Sequence, residues 1–305
     1  MLLSTQTKLL GRKLGQEQAI KMIAQAGFDA YDFSMGRIQY ALDETSAFGV
    51  GDEFYHFDDY AEKIMHLKEI ADSLGIVCNQ AHGPFPSQKY ADQKYSEITF
   101  EMIIRSMECA SLLGAKQIVM HPVKDCPLEV DAFEYNIAFF ERLIPYCRKY
   151  DIKIAIENMF IEDKKRGHIV SSVCGMSKEH AAMCDRLGRE HFTACLDLGH
   201  SGLAGNEAYI AIHDLGKERL KALHVHDNDY RTDVHTYPYL GKMDWNKTLK
   251  ALADIGYEGD FTFEIDNCLT RLPVEVVPEA LKFLCVLGRN MIKQIEEFEG
   301  DRNRS

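Results

Sequence analysis

Short runs of consecutive apolar residues alternate along the chain with longer segments in which apolar positions recur every three or four residues. The first pattern marks buried strands and the second marks helices with one buried face. Helical spacing runs over Gln16–Ala26 and stops at Gly27, and a short strand is predicted at Ala30–Ser34. A helix over Phe57–Leu74 stops at Gly75, and a strand at Ile76–Ala81 leads into His82-Gly83-Pro84. A long helix, Tyr90–Leu113, precedes a strand at Gln117–Met120 that delivers His121-Pro122. A further helix spans Val130–Lys149, and Lys153–Asn158 reads as a strand carrying a carboxylate at its end. The polar stretch Glu162–Ser172 reads as a loop and Ser177–Leu187 as a helix. Thr193–Asp197 is a strand, Glu207–Leu215 a short helix and Leu220–Asp227 a strand, with a polar loop over Asn228–Lys242. Trp245–Ile255 is a helix ended by Gly256, Phe261–Asp266 the last strand and Val274–Glu297 the last helix.

About eight strand–helix units in succession argue for an α/β protein with a parallel sheet and helical crossovers. Eight such units close naturally into a (β/α)8 TIM barrel. One single-domain barrel over residues 1–300 is expected, with residues 301–305 as a frayed tail. An open doubly wound sheet is the other arrangement of such units, but neither glycine-rich phosphate loop that accompanies it occurs here.

Composition changes this picture mainly by exclusion. The chain has 305 residues, 46% hydrophobic and 27% charged, the balance of an ordinary globular protein. No run of about 18 apolar residues suits a membrane span. The N-terminus lacks a basic segment followed by an apolar one, so no secretory signal is expected. The nine cysteines are scattered and include no CxxC pair. They read as reduced core thiols of a cytoplasmic protein and disfavour a thiolate zinc site. The formal charge of −12 argues against nucleic acid as a partner. The loops that would meet DNA do little to offset it. Asn228–Lys242 holds only Arg231 and Lys242, and Gly36–Phe54 only Arg37 amid Asp43, Glu44, Asp52 and Glu53.

Candidate chemistry gathers at the strand ends, which share one mouth in a barrel. Those ends carry His82, His121, Glu157, Asp197 with His200 just beyond, His224 with His226, and Glu264; Asp233 and His235 lie in the loop after His226. Each residue has an ordinary reading by itself: Asp197 as a helix cap, His82 in a turn, His121 as a satisfied core histidine, His224 or His226 at the surface. Collected at one mouth they would be costly to bury without a cation. A divalent metal is therefore expected, zinc or manganese first, magnesium or cobalt otherwise, with one to three ions per chain. Glu157, Asp197, Glu264 and either His224 or His226 form an inner set. Two glutamates across a metal suit proton transfer beside a carbonyl, one as base and the other as acid, through an enediolate. His82, His200 and His226 are candidates for orienting substrate hydroxyls. Trp245, Phe33, Phe85 and Tyr237 are candidates for offering apolar faces to a sugar ring, although at least half of them are expected in the core.

Ile156-Glu157-Asn158, Asp197-Leu198-Gly199-His200, His224-Val225-His226-Asp227 and Phe263-Glu264 together resemble the xylose-isomerase-like barrel superfamily, over roughly Gln16 to Ile295. That superfamily includes sugar isomerases, ketose 3-epimerases and type-IV apurinic endonucleases. Resemblance to the epimerases implies one metal held by Glu157, Asp197, a strand-seven histidine and Glu264. His224 is favoured over His226 by counting from Arg219 at the strand's start, and Asp227 completes its His-x-x-Asp. Resemblance to the endonucleases implies three zinc ions, with further ligands at His82, His121, His200, Asp233 and His235. These residues point to a metal-dependent isomerase or epimerase of a small sugar or sugar phosphate. The alternative is a multinuclear zinc phosphoesterase, in which a metal-bridged hydroxide attacks a phosphoester. Barrels of this kind often pair through loops and outer helices, so a homodimer is compatible with either.

Overall fold

Alternation within short strands lays out the molecule, seen here in a computed structural model that describes residues 1–35, 58–124, 126–127 and 129–302. The acidic loop 36–54 lies outside these residues, as do Asn303–Ser305 of the expected tail; Asp301 and Arg302 continue the last helix. The strands are β1 (Leu3–Gln6), β2 (Ala30–Ser34), β3 (Val77–His82), β4 (Gln117–Met120), β5 (Lys153–Glu157), β6 (Phe160–Asp163), β7 (His168–Ser171), β8 (Phe192–Asp197), β9 (Leu220–His224) and β10 (Phe261–Phe263). Eight of them pair in one sheet in the order β10-β1-β2-β3-β4-β5-β8-β9, every pair parallel. Val225 N donates to Thr262 O (2.9 Å) and Glu264 N to Val225 O (3.1 Å), which brings the end of β9 against β10 and rounds the sheet into a barrel.

The helices are α1 (Lys8–Leu14), α2 (Gln16–Gln25), α3 (Tyr60–Leu74), α4 (Gln93–Leu112), α5 (Ala132–Glu141), α6 (Ile144–Tyr150), α7 (Ser177–Leu187), α8 (Leu198–Leu203), α9 (Ala208–Arg219), α10 (Trp245–Ile255), α11 (Asp266–Arg271) and α12 (Val277–Arg302). No helix among the described residues is long and apolar enough to cross a membrane. Leu3, Tyr31, Phe33, Ile154, Ile156, Phe192, Phe261 and Phe263 are buried strand side chains in the core between sheet and helices. Arg289 of α12 clasps the Asp29 carboxylate with two hydrogen bonds (2.6 and 2.7 Å), tying the last helix to the turn before β2.

Several elements depart from the expected pattern. β1 and α1 were not anticipated; β1 has only four residues, and Ser4, Thr5 and Gln6 give it no apolar run. The single helix expected over Val130–Lys149 is two, because Pro145 in the first turn of α6 lacks an N–H and would clash with the carbonyl of Glu141. The expected polar loop 162–172 instead contributes to the antiparallel hairpin β6–β7, whose turn is held by Asp163 accepting from Lys165 N and Arg166 N. β10 ends at Phe263, so Asp266 opens α11 and does not end a strand.

Candidate functional site

Strand alternation decides which side chains reach the mouth. Val119, Ala155, Cys195 and Ala222 form a small buried cluster apart from the main core, a layer inside the ring. Two residues on, the same faces present His121, Glu157, Asp197 and His224. Glu157, Asp197, His224 and Glu264 are at most 2% exposed, and their ligand atoms all lie within 4.8 Å of one another. Asp197 also caps α8, accepting from His200 N at 2.7 Å, so its cap role and its place in the cluster coexist.

His224 stands at the centre of this inner group. Its Nδ1 is 3.2 Å from Glu157 Oε1 and 3.0 Å from Glu264 Oε2, and its Nε2 is 3.2 Å from Asp32 Oδ2. Asp32 is fully buried and accepts from the side-chain amides of Gln80 (3.1 Å) and Gln6 (3.4 Å). With Nε2–H donated to Asp32, the Nδ1 lone pair faces two carboxylate oxygens. Three electron-rich atoms that close repel unless a cation or proton lies among them. Glu264 Oε2 makes no hydrogen bond of good geometry among the described residues, which leaves that oxygen available to an ion.

Two further groups flank the first. The Nε2 atoms of His82 and His121 lie 3.4 and 2.9 Å from Glu157 Oε2. On the other side, Asp233 Oδ2 lies 3.0 Å from His235 Nε2 and 3.6 Å from His200 Nε2. His226 completes that second group; its Nε2 reaches Asp197 Oδ1 at 2.8 Å and its ring stacks on His235 with centroids 3.9 Å apart. The stack needs glycine at 199, where a Cβ would collide with the His226 ring. Backbone carbonyls aim three of these imidazoles: the Nδ1 atoms of His82, His200 and His235 lie 2.9, 3.1 and 2.8 Å from the carbonyls of Gly83, Asn158 and Glu264. A proton held there turns each Nε2 toward the cluster, where its lone pair can meet an ion that takes the place of a second proton.

The electrostatics follow from this crowding. Burial would raise both glutamates. The imidazoles of His121 and His224 nevertheless hold Glu157, and Lys8 with His224 holds Glu264, well below the usual carboxylate range. Burial works against charge on His200, yet Asp197, Asp233 and Glu157 raise it to about 10. Glu264 and Asp233 overcome burial in the same way at His235, which rises to about 9. At His121 burial outweighs Glu157 and lowers the ring to about 4. Without a metal ion, charged imidazoles have to balance the carboxylates of Asp32, Glu157, Asp197, Asp233 and Glu264; a divalent cation would do so directly. These groups, linked by a fourth set of His82, His224 and Glu264, offer imidazole nitrogen and carboxylate oxygen and contain no cysteine, a donor set that fits zinc or manganese.

His82, His121, Glu157, Asp197, His200, His224, His226, Asp233, His235 and Glu264 are thus all brought together, with His224 in the inner group and His226 in an outer one. Trp245 is not part of this gathering: it is 3% exposed and its indole N–H donates to Asp227 Oδ2 at 2.7 Å. Asp227 also accepts from Tyr239 N and Met243 N, so it organises the loop after β9. Phe33 and Tyr237 belong to the core, whereas Phe85 stands edge-on to His121 with centroids 4.6 Å apart. Sequence reasoning missed Asp32, Gln6, Gln80, Lys8, Lys124 and Phe160. Asp32 had a legible signal, since it alternates with Tyr31 and Phe33 and so takes the opposite, inward face. Lys8, whose Nζ lies 2.9 Å from Glu264 Oε1, comes from the unanticipated α1.

A family model described as a xylose isomerase-like TIM barrel matches residues 20–286. The chain is 23% identical over 255 residues to the "Probable endonuclease 4" of Metamycoplasma arthritidis, covering 78% of this chain and 84% of that protein. The crystal structure of a D-tagatose 3-epimerase-like protein resembles this one with a TM-score of 0.70 at 19% identity, covering 99% of both chains. That of IOLI protein with a binding zinc atom does so with a TM-score of 0.71 at 16% identity, covering 98% of this chain and 99% of that one.

Proposed function

This chain belongs to the xylose isomerase-like TIM-barrel family, and we propose that it is a divalent-metal isomerase or epimerase of a small sugar or sugar derivative. One observation carries the reading: the buried carboxylates of Glu157 and Glu264 approach a single nitrogen of His224, at 3.2 and 3.0 Å. Glu157, Asp197, His224 and Glu264 would hold the ion, which when bound supplies polarisation of a substrate carbonyl and its neighbouring hydroxyl. The two glutamates do the proton work. Both are held ionised, the state a base requires; one takes the proton from the carbon beside the carbonyl, and the other, once it has taken up a proton from solvent, delivers that proton to the carbon. His82 and His200, aimed by backbone carbonyls, orient substrate hydroxyls. The epimerase-like structural neighbour supports this choice of chemistry.

A second reading, phosphoester hydrolysis at a multinuclear zinc centre, is favoured by the two outer groups, which a single-metal isomerase does not need as ligands. The relative named as an endonuclease points the same way. One experiment separates the two: elemental analysis of protein purified without chelator, followed by solvent-deuterium exchange with a panel of ketoses, ketose phosphates and keto-sugar acids. About one metal per chain is expected, with deuterium entering the carbon beside the carbonyl and Glu264→Gln abolishing that entry. Two or three zinc ions per chain, hydrolysis of phosphoesters and no exchange with any of these neutral or acidic sugars would sink the isomerase and establish the hydrolase.

A further inference from the structure

Lys124 has no part in the two-glutamate chemistry, and its setting is unusual for a lysine. It follows His121-Pro122-Val123 at the end of β4. Its root is rigid: the fully buried Asn136 of α5 accepts from Val123 N at 2.6 Å and donates to Val123 O at 3.0 Å. The half-buried side chain carries its ammonium to 2.8 Å from Phe160 O, where it donates a hydrogen bond. There Nζ stands 5.5 Å from the ring centroid of Phe85 and 5.3 Å from that of Phe160. Those rings meet His121 and His200 edge-on, with centroids 4.6 and 4.9 Å apart. The cation therefore sits between the two outer imidazole groups, beside the mouth.

Among the described residues its charge has no close counterpart. Among the described residues no carboxylate oxygen comes within ion-pair distance of Lys124 Nζ. Glu157 and Asp233 are the carboxylates whose fields reach it, and both belong to the ligand groups. Burial lowers the ammonium to about 8, which leaves it charged at neutral pH. Lys8, the other ammonium at the mouth, is engaged with Glu264. An ammonium has three donors; among the described residues Phe160 O takes one, which leaves two for a ligand. A partly desolvated cation with spare donors gains most from an anion, through charge-assisted hydrogen bonds.

We propose that Lys124 forms a subsite for an anionic substituent of the substrate, a phosphate or a carboxylate, so that the substrate class is an acidic sugar derivative and not a neutral ketose. The identity of the sugar portion rests on the functional reading above; the anion subsite does not. A purely structural role, in which the lysine only pins the β6–β7 hairpin to the barrel, would make ligand charge irrelevant to its replacement.

The test is calorimetric titration of metal-loaded wild type, Lys124→Met and Lys124→Arg with three probes: a ketohexose, its 6-phosphate and a six-carbon aldonate. Methionine keeps an unbranched apolar stem between the two rings and removes the charge. The wild type is expected to bind one anionic probe at least tenfold more tightly than the neutral ketose, a gap that narrows with added salt. Lys124→Met erases the gap while metal content and neutral-sugar affinity stay unchanged, and Lys124→Arg keeps most of it. The probe that shows the gap tells phosphate from carboxylate. A wild type that binds neither anion better than the neutral sugar overturns the proposal, as does a gap that survives in Lys124→Met. Binding is read without turnover. A Lys124-dependent gap without proton exchange would defeat the isomerase reading alone, and exchange without a gap would defeat the subsite alone.

Discussion

The Nε2 of His224 and the Oδ2 of Asp32 lie 3.2 Å apart, and neither residue exposes any surface. This pair sets the tautomer of the imidazole at the centre of the inner group. Asp32→Asn keeps the volume but weakens the pull on the Nε2 proton. Such outer partners of a ligating histidine typically contribute a factor of about 10–100 in metal affinity. Competition titration against a chelator is expected to show at least a tenfold weaker ion in Asp32→Asn, with little change in folding. Equal affinity in the two proteins would mean that Asp32 does not orient the ligand.

Gly199 is where the chain makes room for the His226 ring. Gly199→Ala has to displace that ring and break its stack on His235, whose centroid is 3.9 Å away. Overpacking of this kind costs about 1–3 kcal/mol. Urea denaturation of the metal-free proteins is expected to show a loss in that range. A loss below about 0.5 kcal/mol would show that His226 moves aside freely.

His180 of α7 is fully buried, and its Nε2 lies 2.8 Å from Ile156 O, one residue before Glu157. Burial lowers its pKa to about 4, outweighing the raising effects of Ile156 O and Glu157. The unfolded chain returns the ring to about 6.5. Between these values the unfolded state binds the extra proton, so the stabilisation is complete above about pH 6.5. It is lost as the pH falls toward 4, by about 1.4 kcal/mol per unit. His180→Gln keeps a donor for Ile156 O and removes the titration. Denaturation series from pH 7 to 4.5 are expected to converge as the pH falls, because the wild type loses stability faster. Parallel curves would remove His180 as the cause.

Most of the barrel and most of the candidate ligands were legible because strand patterns are local. An apolar run ending in Glu157, or in Asp197 followed by a glycine turn, places its carboxylate at a strand end whatever the rest of the chain does. Elements without that local signature were hidden. The hairpin β6–β7 mixes apolar and polar residues, none of them buried, and so has no apolar run, and β1 has four residues whose burial comes from its neighbours β10 and β2. Pro145 did carry a local signal, a helix break, and it accounts for the division between α5 and α6.

Sequence by itself determined the class of architecture and which residue types stand at the ends of the strands, because period-two and period-3.6 patterns depend only on neighbouring residues. Tertiary structure alone decided how those residues are shared among groups. His224 joins the glutamates while His226, two residues on, reaches Asp197 and stacks on His235, although both have an aspartate three residues later. It also brought in Asp32, Lys8 and Lys124, each from a distant segment, and turned Trp245 into a donor for Asp227. These outcomes follow from barrel closure and side-chain packing, where distances are set by atoms far apart along the chain.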